Sequence, residues 1–185
     1  MRSEITRPIL FKNYRGATQV DEIDCAIWEA ARATSAASSF FKHITIQNQR
    51  FTDGATGYNN PIDLVLEEAC QVWPDATTRI ERLVSIGTGR PELRAFGNNL
   101  KQLGASLIKI STDTQNAADR FERTAFRDHH LHGKYFRFDV SHGLGDVGLE
   151  SSREKGKIVA ATNNYLNEHT VNLSCRAFAI ETPSM

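Results

Sequence analysis

Hydrophobic and polar positions along this chain follow two different periods. Pro8-Ile-Leu-Phe-Lys-Asn-Tyr14 has an apolar front closed by Arg15-Gly16, which predicts a strand. Asp24 is the expected N-cap of the next helix, where Ile27, Ala30, Ala31 and Thr34 share one face. Those small residues suit close packing on a sheet. After Phe40 and Phe41, the alternation His43-Ile-Thr-Ile46 predicts a short strand. Gly54 and Gly57 predict a tight turn of positive φ. Asn59 or Asn60 is expected to cap a further helix, with Pro61 at its first position and Asp63 at its positive end. Ile62, Val65, Leu66, Ala69 and Val72 or Trp73 form its apolar stripe, and Pro74 stops it.

Residues 80–86 read as a strand closed by Gly87-Thr88-Gly89. Residues 91–127 are mostly helical in pattern, with a break expected near Gly104. Another strand covers 134–140, a glycine-bearing loop covers 141–148, and a helix then carries Ile158, Ala161, Tyr165 and Leu166. A last amphipathic segment, 171–180, suits a helix. The alternation of strand and helix predicts an α/β fold, a layered and partly parallel sheet with helices on both faces. At 185 residues, a single domain spanning 1–185 is expected.

Charge narrows the partners. Lysine plus arginine and aspartate plus glutamate each number 22, so the net charge is zero and no nucleic-acid partner is expected. With 40% apolar residues the chain is not of disordered type. No stretch approaches the ~20 apolar residues of a spanning helix, and Met1-Arg-Ser-Glu-Ile-Thr-Arg-Pro8 has no secretory apolar core. Cys25, Cys70 and Cys175 are too widely spaced for a disulfide framework or a zinc site, so reduced thiols in a cytoplasmic protein are expected.

The sharpest candidate for chemistry is Asp53-Gly54-Ala55. It follows an apolar strand and precedes a capped helix, where a carboxylate can accept a proton or orient a nucleophile. The same Asp-Gly can simply stabilise its own turn. Gly143-Leu-Gly145-Asp-Val-Gly148 fits a dinucleotide fingerprint, but Asp146 puts negative charge where a pyrophosphate would sit. His129, His130 and His132 read as a solvated loop in preference to a metal site, and no metal or other cofactor is expected. His43 has no motif behind it. Trp28 and Trp73 are expected to serve core or helix packing in preference to a lipid-facing belt.

Order along the chain adds a resemblance. Trp28-Glu-Ala-Ala-Arg-Ala-Thr-Ser-Ala-Ala37, Phe51-Thr-Asp-Gly-Ala55, Asn59-Asn-Pro61, Trp73-Pro74 and Ser85-Ile-Gly-Thr-Gly89 come in series. Tyr135-Phe-Arg-Phe-Asp-Val140, Gly143-Leu144, Asp146, Thr162 and Tyr165-Leu166 follow. Together they resemble the patatin-like phospholipase family, its fungal members especially. The resemblance implies acyl-ester hydrolysis by a Ser–Asp dyad without a histidine. It makes Asp53 of the Asp53-Gly54-Ala55 motif the general base and a lipid or acyl ester the substrate, with transient contact at a membrane surface. The serine should lie in a G-x-S-x-G turn, yet no two glycines here are four positions apart, and no glycine-rich oxyanion loop precedes Asp53. Ser38 also stands where the family places proline. The chain therefore resembles the C-terminal half of the family's catalytic domain, an incomplete patatin-like fold. Ser35, Ser38, Ser39 and Ser85 lack the glycine setting of a nucleophile elbow. The alternative is a non-catalytic assembly module that associates through an exposed sheet edge.

Overall fold

A computed structural model describes residues 8–14, 23–37, 40–90, 114–125, 127–128, 130–148 and 151–179. The chain divides into two compact units, Met1–Ala76 and Thr77–Met185.

In the first unit, helix α1 (Ile27–Thr34) starts on a device other than the one expected. The Ala26 N–H donates to Glu29 Oε2 at 2.8 Å, so a first-turn acid closes the helix start. Asp24 instead offers its backbone carbonyl to Gln47 Nε2 at 2.9 Å. The buried face also differs. Ala33 is buried, Ala30 is half-buried, and Ile27, Ala31 and Thr34 face water. An alanine on that face lets the helix approach a hairpin closely.

That hairpin joins β1 (Ile44–Ile46) to β2 (Gln49–Phe51), antiparallel, with Ile44 opposite Phe51 and Ile46 opposite Gln49. Only β1 was legible in the hydrophobic pattern. Gln47 and Asn48 make the turn at φ 48° and 64°. Two left-handed residues match the twist of a two-residue hairpin, and Gln-Asn is an unusual pair for it. An Asn48→Val variant is expected to lose about 1–2 kcal/mol, because a β-branched residue is strained there, whereas Asn48→Gly is tolerated. Urea unfolding of the two variants checks this.

Residues 8–14 form no strand among the described residues, contrary to the pattern. Their apolar front packs instead of pairing. Ile9 and Phe11 lie against the cluster of Ala33, Ile46 and Phe51, with the Phe11 and Phe51 ring centroids 5.4 Å apart. The segment's end is tied to Glu68, whose Oε1 takes Lys12 Nζ at 2.6 Å and the Tyr14 hydroxyl at 3.1 Å. Burial and the Glu68 carboxylate raise the Tyr14 pKa.

After β2 come a single turn, α2 (Ala55–Tyr58), and then α3 (Ile62–Val72). Pro61 is the N-cap residue of α3, one position earlier than expected, and neither Asn59 nor Asn60 occupies that place. Trp73 leaves the helix at φ −126°, still donating its N–H to Ala69 O at 2.8 Å, and Pro74 follows as predicted. Ile62 is buried and Leu66 and Ala69 half-buried, but Val65 and Trp73 are exposed.

A short helix, α4 (Ala76–Arg79), begins at the last residue of the first unit, and β3 (Leu83–Ile86) follows in the second. β3 pairs in parallel with β4 (Tyr135–Phe138), Leu83 opposite Tyr135 and Ser85 opposite Arg137. Both strands are shorter than predicted. The crossover between them contains helix α5, residues 114–125; the helical pattern read over 91–113 and the break at Gly104 lie outside the described residues. A 3-10 turn (Ser152–Glu154) then leads into α6 (Lys155–Leu166) and α7 (His169–Ala179).

Successive residues of β4 point to opposite faces. Tyr135 meets Phe121 of α5, ring centroids 4.8 Å apart, and Phe136 meets Phe178 of α7 at 5.6 Å. Helices therefore lie on both faces of β4, as the α/β reading requires, while Val84 and Ile86 of β3 stay exposed. Phe121 and Leu131 are the largest fully buried side chains among the described residues, each worth roughly 1.5–3 kcal/mol of apolar transfer. On α6, Ala161 is buried while Ile158 and Leu166 stay exposed.

Candidate active site

Asp53 sits two residues beyond β2 and two before α2. Two backbone bonds hold it. Its N–H donates to Ala36 O at 3.1 Å, in the segment after α1. Its Oδ1 accepts the Ala55 N–H at 2.7 Å, closing an Asx turn. The side chain is half-buried, and its second oxygen has no partner among the described residues. Gly57 supplies the positive φ here, at 98°. Gly54 lies at φ −72° and needs none, which corrects half of the glycine expectation. A fixed carboxylate with one oxygen committed and the other open can accept a proton from an incoming hydroxyl.

The other candidate nucleophiles are committed elsewhere. The Ser35 hydroxyl donates to Ala31 O at 2.8 Å, and Ser85 is buried, accepting from Arg137 Nη1 at 2.8 Å. Ser38 and Ser39 lie outside the described residues. Cys25 is held as the thiol, its pKa raised by burial first and then by the Glu29 and Asp24 carboxylates. His43 is exposed on the rim of an open concavity with Ser35 and Trp28.

Asp146 pairs with Lys157 of α6, and Gly148 N–H donates to Ser151 Oγ at 3.1 Å, so the glycine-rich run is tied down by its own neighbours. His130 N–H donates to Asp128 Oδ1 at 2.9 Å, and both His130 and His132 are exposed; His129 lies outside the described residues. Trp28 and Trp73 are 64% and 51% exposed, which overturns their assignment to internal packing.

A polar cluster in the second unit escaped the sequence reading. Asp139, buried just past β4, accepts the Gly89 N–H at 3.0 Å and Arg137 Nη2 at 3.2 Å, with Arg90 Nε at 3.5 Å. Its own N–H donates to the Tyr165 hydroxyl at 3.1 Å. A Cβ on Gly87 would lie 2.0 Å from Asp139 Oδ1, so that glycine makes room for the carboxylate. Gly89 takes φ 102° beneath Leu144. The Ser-Ile-Gly-Thr-Gly turn is thus the seat of a buried ion pair. The available signal was two opposite charges two positions apart in an apolar strand, which puts both on one face.

Residues 3–66 match the model of the patatin-like phospholipase family. Calcium-independent phospholipase A2-gamma of Mus musculus is 31% identical over 163 residues, covering 83% of this chain and 20% of that protein. Its Rattus norvegicus counterpart is 30% identical over 147 residues, 75% of this chain and 18% of that protein. Phospholipase A I of Arabidopsis thaliana is 35% identical over 86 residues, 46% of this chain and 6% of that protein. The chain spans about a fifth of the length of the mammalian relatives it matches.

Proposed function

From its kinship with the patatin-like phospholipases, we propose that this chain is the aspartate-bearing C-terminal part of a lipid acyl-hydrolase domain, working in the cytoplasm. Asp53 is its general base. The nucleophile is a serine in a G-x-S-x-G turn that this sequence does not contain. The serine hydroxyl adds to the acyl carbonyl and its proton passes to the Asp53 carboxylate, which returns it to the departing alcohol. Water then attacks the acyl-serine, Asp53 takes its proton and passes it to the departing serine oxygen, and the fatty acid leaves with serine and carboxylate restored.

One observation carries this reading. The Asp53 carboxylate is held by its Asx turn, and its backbone N–H by the Ala36 carbonyl, just past a strand end, with an oxygen left open, inside the stretch that matches the family. The relatives' names support a phospholipid or similar acyl ester as substrate. The likeness to fungal members rests on the quoted motifs.

This chain alone is expected to take no label from a serine-directed fluorophosphonate. Labelling that disappears on replacing Ser35 or Ser85 would overturn the absent-nucleophile argument. A non-catalytic assembly module is the alternative, favoured by the 77% exposure of Ile86 on β3. Analytical ultracentrifugation separates the two, since the module requires self-association or a partner.

A further inference from the structure

The first unit carries an aromatic and cationic surface that ester hydrolysis by Asp53 does not use. We propose that it docks the protein on an anionic phospholipid bilayer. This rests on the lipid-hydrolase reading for its choice of occupant, and on the following geometry for its place. Trp28, Ala31 and Arg32 of α1 line an open concavity of about 660 Å³ with Ser35, His43 and Ile44. Trp28 is 64% exposed and Phe41 61% exposed, far more than packing would leave. Arg32 holds the edge together. Its Nη2 donates to Lys42 O at 2.6 Å, and its guanidinium lies 5.5 Å from the centre of the Phe41 ring. That contact keeps Phe41 beside the helix with its ring outward and places Lys42 next to it.

Aromatic rings with cations at the same rim suit the boundary between headgroups and acyl chains. The rings enter the acyl boundary while the lysine beside them meets phosphate. Charge favours that occupant. Arg32, Lys42 and His43 stand at the concavity or beside it, and Glu29, the acid of α1, is turned to the Ala26 N–H at the helix start. Arg32 Nη1 is itself buried, so Lys42, exposed beside it, is the cation open to a headgroup oxygen. The same α1 leads into Ala36, whose carbonyl holds the Asp53 N–H, so docking would bring lipid to the element that positions the base.

The test uses the full chain and vesicles of phosphatidylcholine with or without phosphatidylserine. In a Trp73→Phe background, Trp28 fluorescence is expected to shift to the blue with anionic vesicles and to be quenched by brominated acyl chains. Trp28→Ala with Phe41→Ala should weaken vesicle binding by roughly tenfold or more, and Lys42→Glu should weaken it by a similar factor only on anionic vesicles. Both aromatic positions are exposed, so unchanged thermal unfolding of these variants shows that folding is intact. Absence of vesicle binding, binding unaffected by the double variant, or an unquenched Trp28 would overturn the proposal. Self-association lost in the double variant without vesicle binding would overturn it too, by making a second copy the occupant. Hydrolysis of a short soluble ester, measured with a nucleophile-bearing segment supplied, keeps the two ideas apart. Its independence of Asp53 sinks the hydrolase reading and leaves vesicle binding as measured, whereas lost docking with intact hydrolysis sinks only the bilayer.

Discussion

Asp53→Asn is expected to lower acyl-ester hydrolysis by about a thousandfold, within the range of general-base contributions, while leaving its unit folded. The measurement pairs this chain with a supplied segment bearing a G-x-S-x-G serine and follows release of fatty acid. Asparagine is the informative replacement because its Oδ1 can still accept the Ala55 N–H, now 2.7 Å from Asp53 Oδ1. The Asx turn survives and only proton acceptance is lost. Asp53→Ala removes both, so it should cost the same activity plus stability of about 1 kcal/mol for the missing turn bond. Should the Asp53→Asn variant and the parent protein hydrolyse at equal rates, the carboxylate serves the turn alone.

The largest effect on stability is expected from Asp139→Ala, about 2–4 kcal/mol, somewhat below the full cost of breaking a buried pair. The removed carboxylate is only 6% exposed, and Arg137, 12% exposed, would keep its charge with little water to replace it. Arg90 is 46% exposed and can turn to solvent, which is the reason for the reduction. The Gly89 N–H also loses its acceptor. Gly87→Ala attacks the same cluster from above, since its new Cβ would fall 2.4 Å from Asp139 Cγ. The two should not add. With the Asp139 carboxylate removed the methyl loses its two closest clashes and keeps only the one with Arg137 Nη2, at 2.6 Å on a flexible side chain, so Gly87→Ala should cost less in the Asp139→Ala background than in the parent protein. Urea unfolding of the four proteins supplies the cycle, and simple additivity would show that the glycine and the carboxylate do not share one space.

Asp139 was invisible in sequence for a reason of range. Tyr135-Phe-Arg-Phe-Asp139 announces a strand and puts Arg137 and Asp139 on one face. That Ser85 lies opposite Arg137, and that Gly87 stands over the carboxylate, follows only from the parallel register of two strands about fifty residues apart. The hairpin was missed for a local reason: Gln47-Asn48 lacks the glycine that usually marks such a turn, and β2 is three residues long. The strand expected at residues 8–14 failed because apolar spacing reports burial, and burial against Phe51 can be had without pairing.

What the amino-acid order determined by itself was whatever short-range chemistry decides. It placed α3 and its stop at Pro74, the strand cores of β1, β3 and β4, the helices α6 and α7, the α/β class, and an Asp-Gly-Ala turn after a strand. Proline, glycine and hydrophobic period act within a turn or two, so they survive any change of neighbours. Tertiary structure alone decided which face of each element is covered. Ala33 is inside while Ile27, Trp28 and Trp73 are out, and Asp139 is buried while Asp53 keeps an oxygen open, because burial depends on what packs across from a residue and not on the residue itself.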